Sequence, residues 1–234
     1  MKKTLQSRAL RREVSKQLHM KRYVLVFLSL IGLVFSTHGK AIEVMITPDM
    51  ASVDVIYEER RITIRRNQDR KNKVKSYYSY TSRRCPPFCI QPISAAAGVQ
   101  TVGELEVIDY LKKVSKGDHS LLVIDARTPQ WPRRGMIPGA VNIPWTMLDF
   151  EHSDAKSVAR LMEERLGVSY SEGEIDFSNA KTLILYCNGM WCAQSTRSIN
   201  ALMAMGYPPE RLKWYRGGMQ AWEMLGLTTV EAGK

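Results

Sequence analysis

Thr182-Leu-Ile-Leu-Tyr-Cys187-Asn-Gly-Met-Trp-Cys192-Ala-Gln-Ser195 is the stretch on which the reading of this chain turns. Residues 182–186 form a short, mostly apolar run with the length of a buried strand. The run ends in Cys187. A loop containing Gly189 follows, and residues 195–205 then show helical spacing up to Gly206. A cysteine between a strand end and a helix start lies where main-chain N–H groups converge. Those donors and the helix N-terminus favour a thiolate, or an anion carried on its sulfur. The stretch therefore predicts sulfur or phosphorus oxyanion chemistry on an α/β scaffold.

The flanking segments extend the pattern. Thr101 with Glu104 reads as a capping box, followed by an apolar helical face of Leu105, Val107, Ile108 and Leu111. Residues 120–125 form a continuous apolar strand, 139–144 a second short strand, 155–166 a helix, 213–215 a strand and 219–225 a closing helix. Apolar strands without alternation, separated by helices, indicate a parallel sheet covered on both faces. Ligands on such sheets bind at the carboxyl ends of strands, which is where Cys187 falls.

Upstream, residues 42–66 alternate. Val53, Val55 and Tyr57, then Ile62 and Ile64, predict a hairpin turning at Glu58-Glu-Arg60. Residues 67–72 read as a second turn and 74–80 as a third strand. This β-rich segment is too small for a core of its own, so it is expected to lean on the larger domain. Residues 82–92 hold Pro86, Pro87 and Pro92 and read as a rigid loop carrying Cys85 and Cys89. The expected organisation is a leader at 1–41, a basic β-rich segment at 42–97 and an α/β domain at 98–234.

The chain holds 34 Lys/Arg against 23 Asp/Glu, a formal +11. Residues 1–41 contribute nine basic residues and one acid, whereas 42–234 hold 25 against 22. Most of the excess thus lies in the leader, which argues against nucleic acid as a partner. Residues 58–84 do concentrate ten Lys/Arg against three acids, as a solvated hairpin face or a surface for an anion or partner. Lys21-Arg22 precede a 13-residue apolar run, shorter than the roughly 20 residues of a membrane span. With small residues Gly39 and Ala41 this matches an export signal cleaved after Ala41, with Met20 as the expected start. The protein is expected in the periplasm or otherwise exported. An uncleaved signal would instead anchor it to the membrane.

Export lets the two close cysteine pairs, Cys85/Cys89 and Cys187/Cys192, be read as disulfide or redox pairs. Their C-x3-C and C-x4-C spacings do not suit a zinc site, and neither a metal nor a cofactor is expected. Met162, Met203, Met205, Met219 and Met224 fall mostly on apolar faces and read as core, not as copper ligands. His19, His38, His119 and His152 are scattered and make no partner for Cys187.

Four motifs carry a resemblance. Leu122-Val-Ile-Asp125-Ala-Arg127-Thr128, the segment Gly135-Met-Ile137-Pro138-Gly139-Ala140-Val-Asn142-Ile-Pro144, the strand ending in Cys187, and Tyr215-Arg216-Gly217-Gly218-Met219-Gln-Ala221-Trp222 together resemble a rhodanese domain, in order, across residues 98–230. The resemblance implies a rhodanese-like parallel sheet flanked by helices, and a sulfurtransferase. In that reading Cys187 takes the outer sulfur of a thiosulfate-like donor as a persulfide and passes it to cyanide, a thiol or a partner protein. Asn188, Gly189, Met190, Trp191, Cys192, Ala193 and Gln194 are then the expected substrate-binding loop through their main-chain N–H groups, with Gly189 permitting the curl. Arg127, Arg133 and Arg134 are the candidate sources of positive charge for the substrate, although Arg127 more readily plays a structural, salt-bridged role than a substrate-binding one, and Arg133 and Arg134 read most simply as solvated loop charges.

Two departures from the pattern stand out. Gln194 stands where an arginine is common in the family, with Arg197 inside the helix. Cys192 is a second thiol in the loop, either packed beside Trp191 or able to attack a Cys187 persulfide and close a disulfide. Three readings stay open: a sulfurtransferase, a thiol–disulfide protein using Cys187/Cys192 and perhaps Cys85/Cys89, and a non-catalytic rhodanese-like module binding a partner through its basic hairpin. A phosphatase is weaker, because the loop lacks an arginine.

Overall fold

The central strand of the sheet is the apolar run that ends in Cys187. The structure is a computed structural model describing residues 44–83, 90–171 and 173–233. All of these belong to one unit, Glu43–Lys234. Cys85 and Cys89, and the leader expected at 1–41, lie outside the described residues. Among the described residues no helix is long and apolar enough to cross a membrane.

Five strands form the main sheet: β3 (Gln100–Val102), β4 (Leu121–Asp125), β5 (Val141–Asn142), β8 (Thr182–Tyr186) and β9 (Leu212–Tyr215). Their order is β3-β9-β8-β4-β5 and every pairing is parallel. Side chains alternate faces along a strand, and β8 feeds two cores accordingly. Ile184 and Tyr186 join Val123 and Tyr215 under α2 (Glu104–Ser115) and α5 (Gly218–Met224). Leu183 and Leu185 join Ile124 and Trp214 under α3 (Ala155–Leu166) and α4 (Gln194–Ala204). Apolar, buried residues at four consecutive positions, Leu183 to Tyr186, are what a strand covered on both sides requires.

The N-terminal hairpin pairs β1 (Ser52–Tyr57) with β2 (Arg60–Arg65). Its turn is Glu58-Glu59, both at positive φ (46° and 63°), as a tight two-residue hairpin turn demands. Val55, Tyr57 and Ile64 are buried in the same cluster as Val107, Ile108 and Leu111 of α2. The expectation that the hairpin leans on the larger domain is met.

Three local expectations are corrected. The third strand expected at 74–80 is instead a helical turn, α1 (Ser76–Ser79). On a strand the neighbours Tyr77 and Tyr78 would point to opposite faces, whereas the turn lets both meet the same end of the sheet. Thr101 does not cap a helix: it lies in β3, opposite Trp214. The α2 N-cap is Gly103, whose N–H donates to Glu106 Oε2 at 3.0 Å, and Leu105 faces solvent. A small hairpin, β6 (Ser169–Ser171) with β7 (Glu174–Asp176), was not anticipated. Its residues are exposed, so it leaves no apolar alternation to read.

Candidate active site

Cys187 follows the last residue of β8, at the carboxyl edge of the sheet. The loop after it is held from below by α5. The Met219 N–H donates to the Cys187 carbonyl at 3.0 Å, and the Gln220 N–H to the Asn188 carbonyl at 2.8 Å. This approach requires Gly218, at φ +54°, because a Cβ there would run into the Cys187 carbonyl and come within 2.9 Å of the Gly189 nitrogen. Gly189 is needed for a similar reason. A Cβ on it would meet Trp191 Nε1 at 2.9 Å and Gln220 Oε1 at 3.0 Å. Those two atoms hydrogen-bond each other, Trp191 donating at 3.0 Å.

Within the loop Cys187 and Cys192 are joined as a disulfide, Cα to Cα 6.2 Å. Both residues are buried, at 2% and 6% exposure. Cys192 is thus bonded to Cys187 rather than merely packed beside Trp191. The Cys192 N–H, expected among the donors around the sulfur, is spent on the Gly189 carbonyl at 2.9 Å. Helix α4 begins just beyond, at Gln194. The loop therefore runs directly into the N-terminus of that helix, with Ala193 as its N-cap. Met190 is exposed on the rim, and its carbonyl accepts the Gln91 N–H at 3.0 Å.

Of the two roles open to Arg127, the salt-bridged structural one is observed and the substrate contact is not. Arg127 is fully buried, and its five N–H donors have five acceptors. Nε and Nη2 reach Asp125 at 2.8 and 2.5 Å, Nη2 also reaches the Gly135 carbonyl at 2.8 Å, and Nη1 reaches Asn188 Oδ1 at 3.0 Å and the Tyr78 hydroxyl at 3.1 Å. Burial opposes the cation, but the Asp125 carboxylate offsets that and holds its pKa above the ordinary arginine value. Tyr78 donates in turn to Asn188 Oδ1 at 3.2 Å, and Tyr186 donates to Asp125 at 3.0 Å. Burial pushes Tyr78 up to about 12 and Tyr186 well above its usual value, so both stay protonated donors.

Gln194 takes no place at the sulfur: its Oε1 accepts the Thr128 N–H at 3.3 Å. Arg197 stacks on Trp145, 4.7 Å from the ring centroid, and Arg133 is a surface residue of the loop after β4. Sequence reasoning missed Tyr78 and Gln220. Tyr78 is the less expected, because it comes from the N-terminal segment. Its hydroxyl reaches the loop through Asn188, and its carbonyl accepts the Gln220 side chain at 3.1 Å. The only signal was two adjacent tyrosines in a basic, polar stretch.

The Rhodanese-like domain family matches residues 107–225, about half of the chain. No curated protein matches it. Among solved structures, a protein of Bacillus halodurans is 18% identical over 56% of this chain and 77% of its own, with a TM-score of 0.40. A thiosulfate sulfurtransferase of Pseudomonas aeruginosa is 18% identical over 61% of this chain and 22% of its own, with a TM-score of 0.39. An Escherichia coli rhodanese is 21% identical over 48% of this chain and 99% of its own, with a TM-score of 0.31. The family assignment rests on the domain match together with the cysteine at the end of the central parallel strand. The chain belongs to the rhodanese-like domain family.

Proposed function

We propose that this is an exported sulfurtransferase in which Cys187 carries the sulfur and Cys192 resolves it. The observation that carries the reading is the Cys187–Cys192 bond at the carboxyl end of β8. Once the pair is reduced, the Cys187 thiolate attacks the outer sulfur of a thiosulfate-like donor. The donor's sulfur–sulfur bond breaks, sulfite leaves with the electron pair, and Cys187 holds a persulfide. A small or protein-borne thiolate then takes the outer sulfur and regenerates the Cys187 thiolate. In the competing branch the Cys192 thiolate attacks the inner sulfur and hydrosulfide leaves. The sulfane sulfur is thereby reduced by two electrons while the two thiols become the disulfide. Reopening that bond takes two electrons and two protons from an external dithiol. An oxidising compartment, consistent with the leader, lets the disulfide persist.

The closed pair also favours a second reading, a thiol–disulfide carrier whose electrons pass through Cys187 and Cys192, and Cys85/Cys89 are the candidate second pair. Intact mass separates the two. The reduced Cys192→Ser chain treated with thiosulfate should gain the mass of one sulfur atom on Cys187, and Cys187→Ser should gain none. If Cys192→Ser gains nothing while both variants lose dithiol reductase activity equally, the carrier reading stands and sulfur transfer fails. If neither variant changes any activity, but reversing the charges at 60–75 abolishes binding of a partner, the module is non-catalytic.

A further inference from the structure

The second strand of the N-terminal hairpin runs on against the segment that follows α5, and the two stretches are tied together. The Thr228 N–H donates to the Arg65 carbonyl at 3.1 Å, the Arg65 N–H to Thr228 Oγ1 at 3.0 Å, and the Asn67 N–H to the Gly226 carbonyl at 2.7 Å. Arg66 Nε donates to the Leu225 carbonyl at 2.8 Å. Gly226, at φ +65°, permits the approach, because a Cβ there would come within 3.3 Å of Asn67 Cβ. Residues from both stretches line a cavity of about 450 Å³ that opens to solvent. That is the volume of a small-molecule site. Its charged lining residues are Arg65, Arg66, Lys73, Lys75 and Glu223, and none of the cysteine loop takes part.

These charges do not cancel. Lys75 Nζ lies 2.8 Å from Glu223 Oε1 and also donates to the Arg134 carbonyl at 3.2 Å, so that pair is spent on itself. Arg66 gives only Nε to Leu225. Its remaining N–H groups, the Arg65 guanidinium and the Lys73 ammonium have no acceptor among the described residues. Cations gathered around one recess focus an anion-attracting field. The guanidinium edges also present paired N–H groups in the fork that phosphate and sulfate oxygens accept. The described lining holds no aromatic ring for a base to stack on, and Leu227 is its one large apolar side chain. We propose that this cavity is a second ligand site, which binds a small, non-aromatic molecule carrying a phosphate- or sulfate-type polyanion. A recess with backbone-pinned walls favours a molecule that enters it over a flat membrane surface. The site holds whichever chemistry Cys187 performs, and its cations all come from residues 65–75, outside the matched domain.

Inorganic pyrophosphate is the probe, titrated calorimetrically into the full chain at fixed ionic strength. One molecule should bind per chain. Arg65→Gln and Lys73→Gln should each weaken binding about tenfold, as loss of one charge-assisted contact implies. Both side chains are exposed, so the variants should keep the parent's urea midpoint, and if one does not, the other decides. Lys71→Gln removes an exposed charge from the same segment but outside the cavity, and it should leave binding unchanged. Adenosine diphosphate should bind no more tightly than pyrophosphate. Tighter binding of the nucleotide would overturn the non-aromatic class. The absence of saturable binding, or equal weakening by Lys71→Gln, would overturn the site itself and leave only diffuse surface charge. Phosphatidylserine vesicles that capture the chain, where pyrophosphate does not bind, would overturn it in favour of a membrane surface. Saturable, cavity-dependent binding in a chain that never takes sulfur from thiosulfate would still support the site, while the sulfur-transfer reading failed.

Discussion

Removing one oxygen atom from Tyr78 should loosen the cysteine loop by a calculable amount. In Tyr78→Phe the ring stays in the core but the hydroxyl is gone. Arg127 Nη1 then loses an acceptor 3.1 Å away and Asn188 Oδ1 loses a donor 3.2 Å away, both among buried groups. Leaving a buried charged donor unmatched costs about 2 kcal/mol. With a urea dependence of roughly 2 kcal/mol per molar, the unfolding midpoint should fall by about 1 M. The control is Tyr57→Phe, also a buried tyrosine, whose hydroxyl donates to a thioether sulfur, Met136, at 3.5 Å and otherwise meets the solvent-exposed Glu58 carboxylate. A bond to sulfur and one to a carboxylate left in water should together contribute less than the Tyr78 pair, about 1 kcal/mol or under. Urea titrations of both variants, oxidised, followed by tryptophan fluorescence, supply the comparison. Equal midpoints would show that Tyr78 merely fills space and that the N-terminal segment does not brace the site.

Gly218→Ala should cost about 3 kcal/mol, combining a left-handed backbone with a clash against the Cys187 carbonyl, and a urea midpoint within experimental error of the parent would refute the close approach. In a Cys85→Ser/Cys89→Ser background, reducing the Cys187–Cys192 bond should lower stability by about 2 kcal/mol, the small value expected for residues only five apart, and a loss above about 4 kcal/mol would mean the bond organises more than its own loop. Alkali should unfold the protein cooperatively. Tyr78 sits at about 12, against an unfolded value of 10.0, and burial also raises Tyr186, Tyr207 and Tyr215. The stability these groups contribute is full below pH 10 and is lost as pH rises toward and past 12, by about 1.4 kcal/mol per pH unit for each tyrosine the fold keeps protonated. Phenolate absorbance that titrated smoothly near pH 10 in the folded chain would contradict their burial.

The α/β order was legible because its signals are local. The helix at 155–166 and the strand at 182–186 appear where their apolar periodicity predicts them. A doubly covered strand leaves an unbroken apolar run that any reader of the chain can see. The edge strand β3 and the exposed hairpin β6–β7 left no such trace, since their pairing is set by neighbours far along the chain. Arg127 shows the same limit at the level of one side chain. Its type suits an anion, and only burial beside Asp125 turns it into scaffold.

From residue order alone came the parallel sheet, the cysteine at its edge and the second thiol within reach along the loop. Those follow from period, spacing and residue type, which are properties of short segments. Tertiary structure alone decided that Tyr78 bonds Asn188, that Arg65, Arg66 and Lys73 gather in a cavity against residues 223–229, and that the two loop sulfurs are joined. Each of these is a contact between groups distant in the chain or a choice among loop conformations. Distance and direction in three dimensions, not composition, determine which donor meets which acceptor.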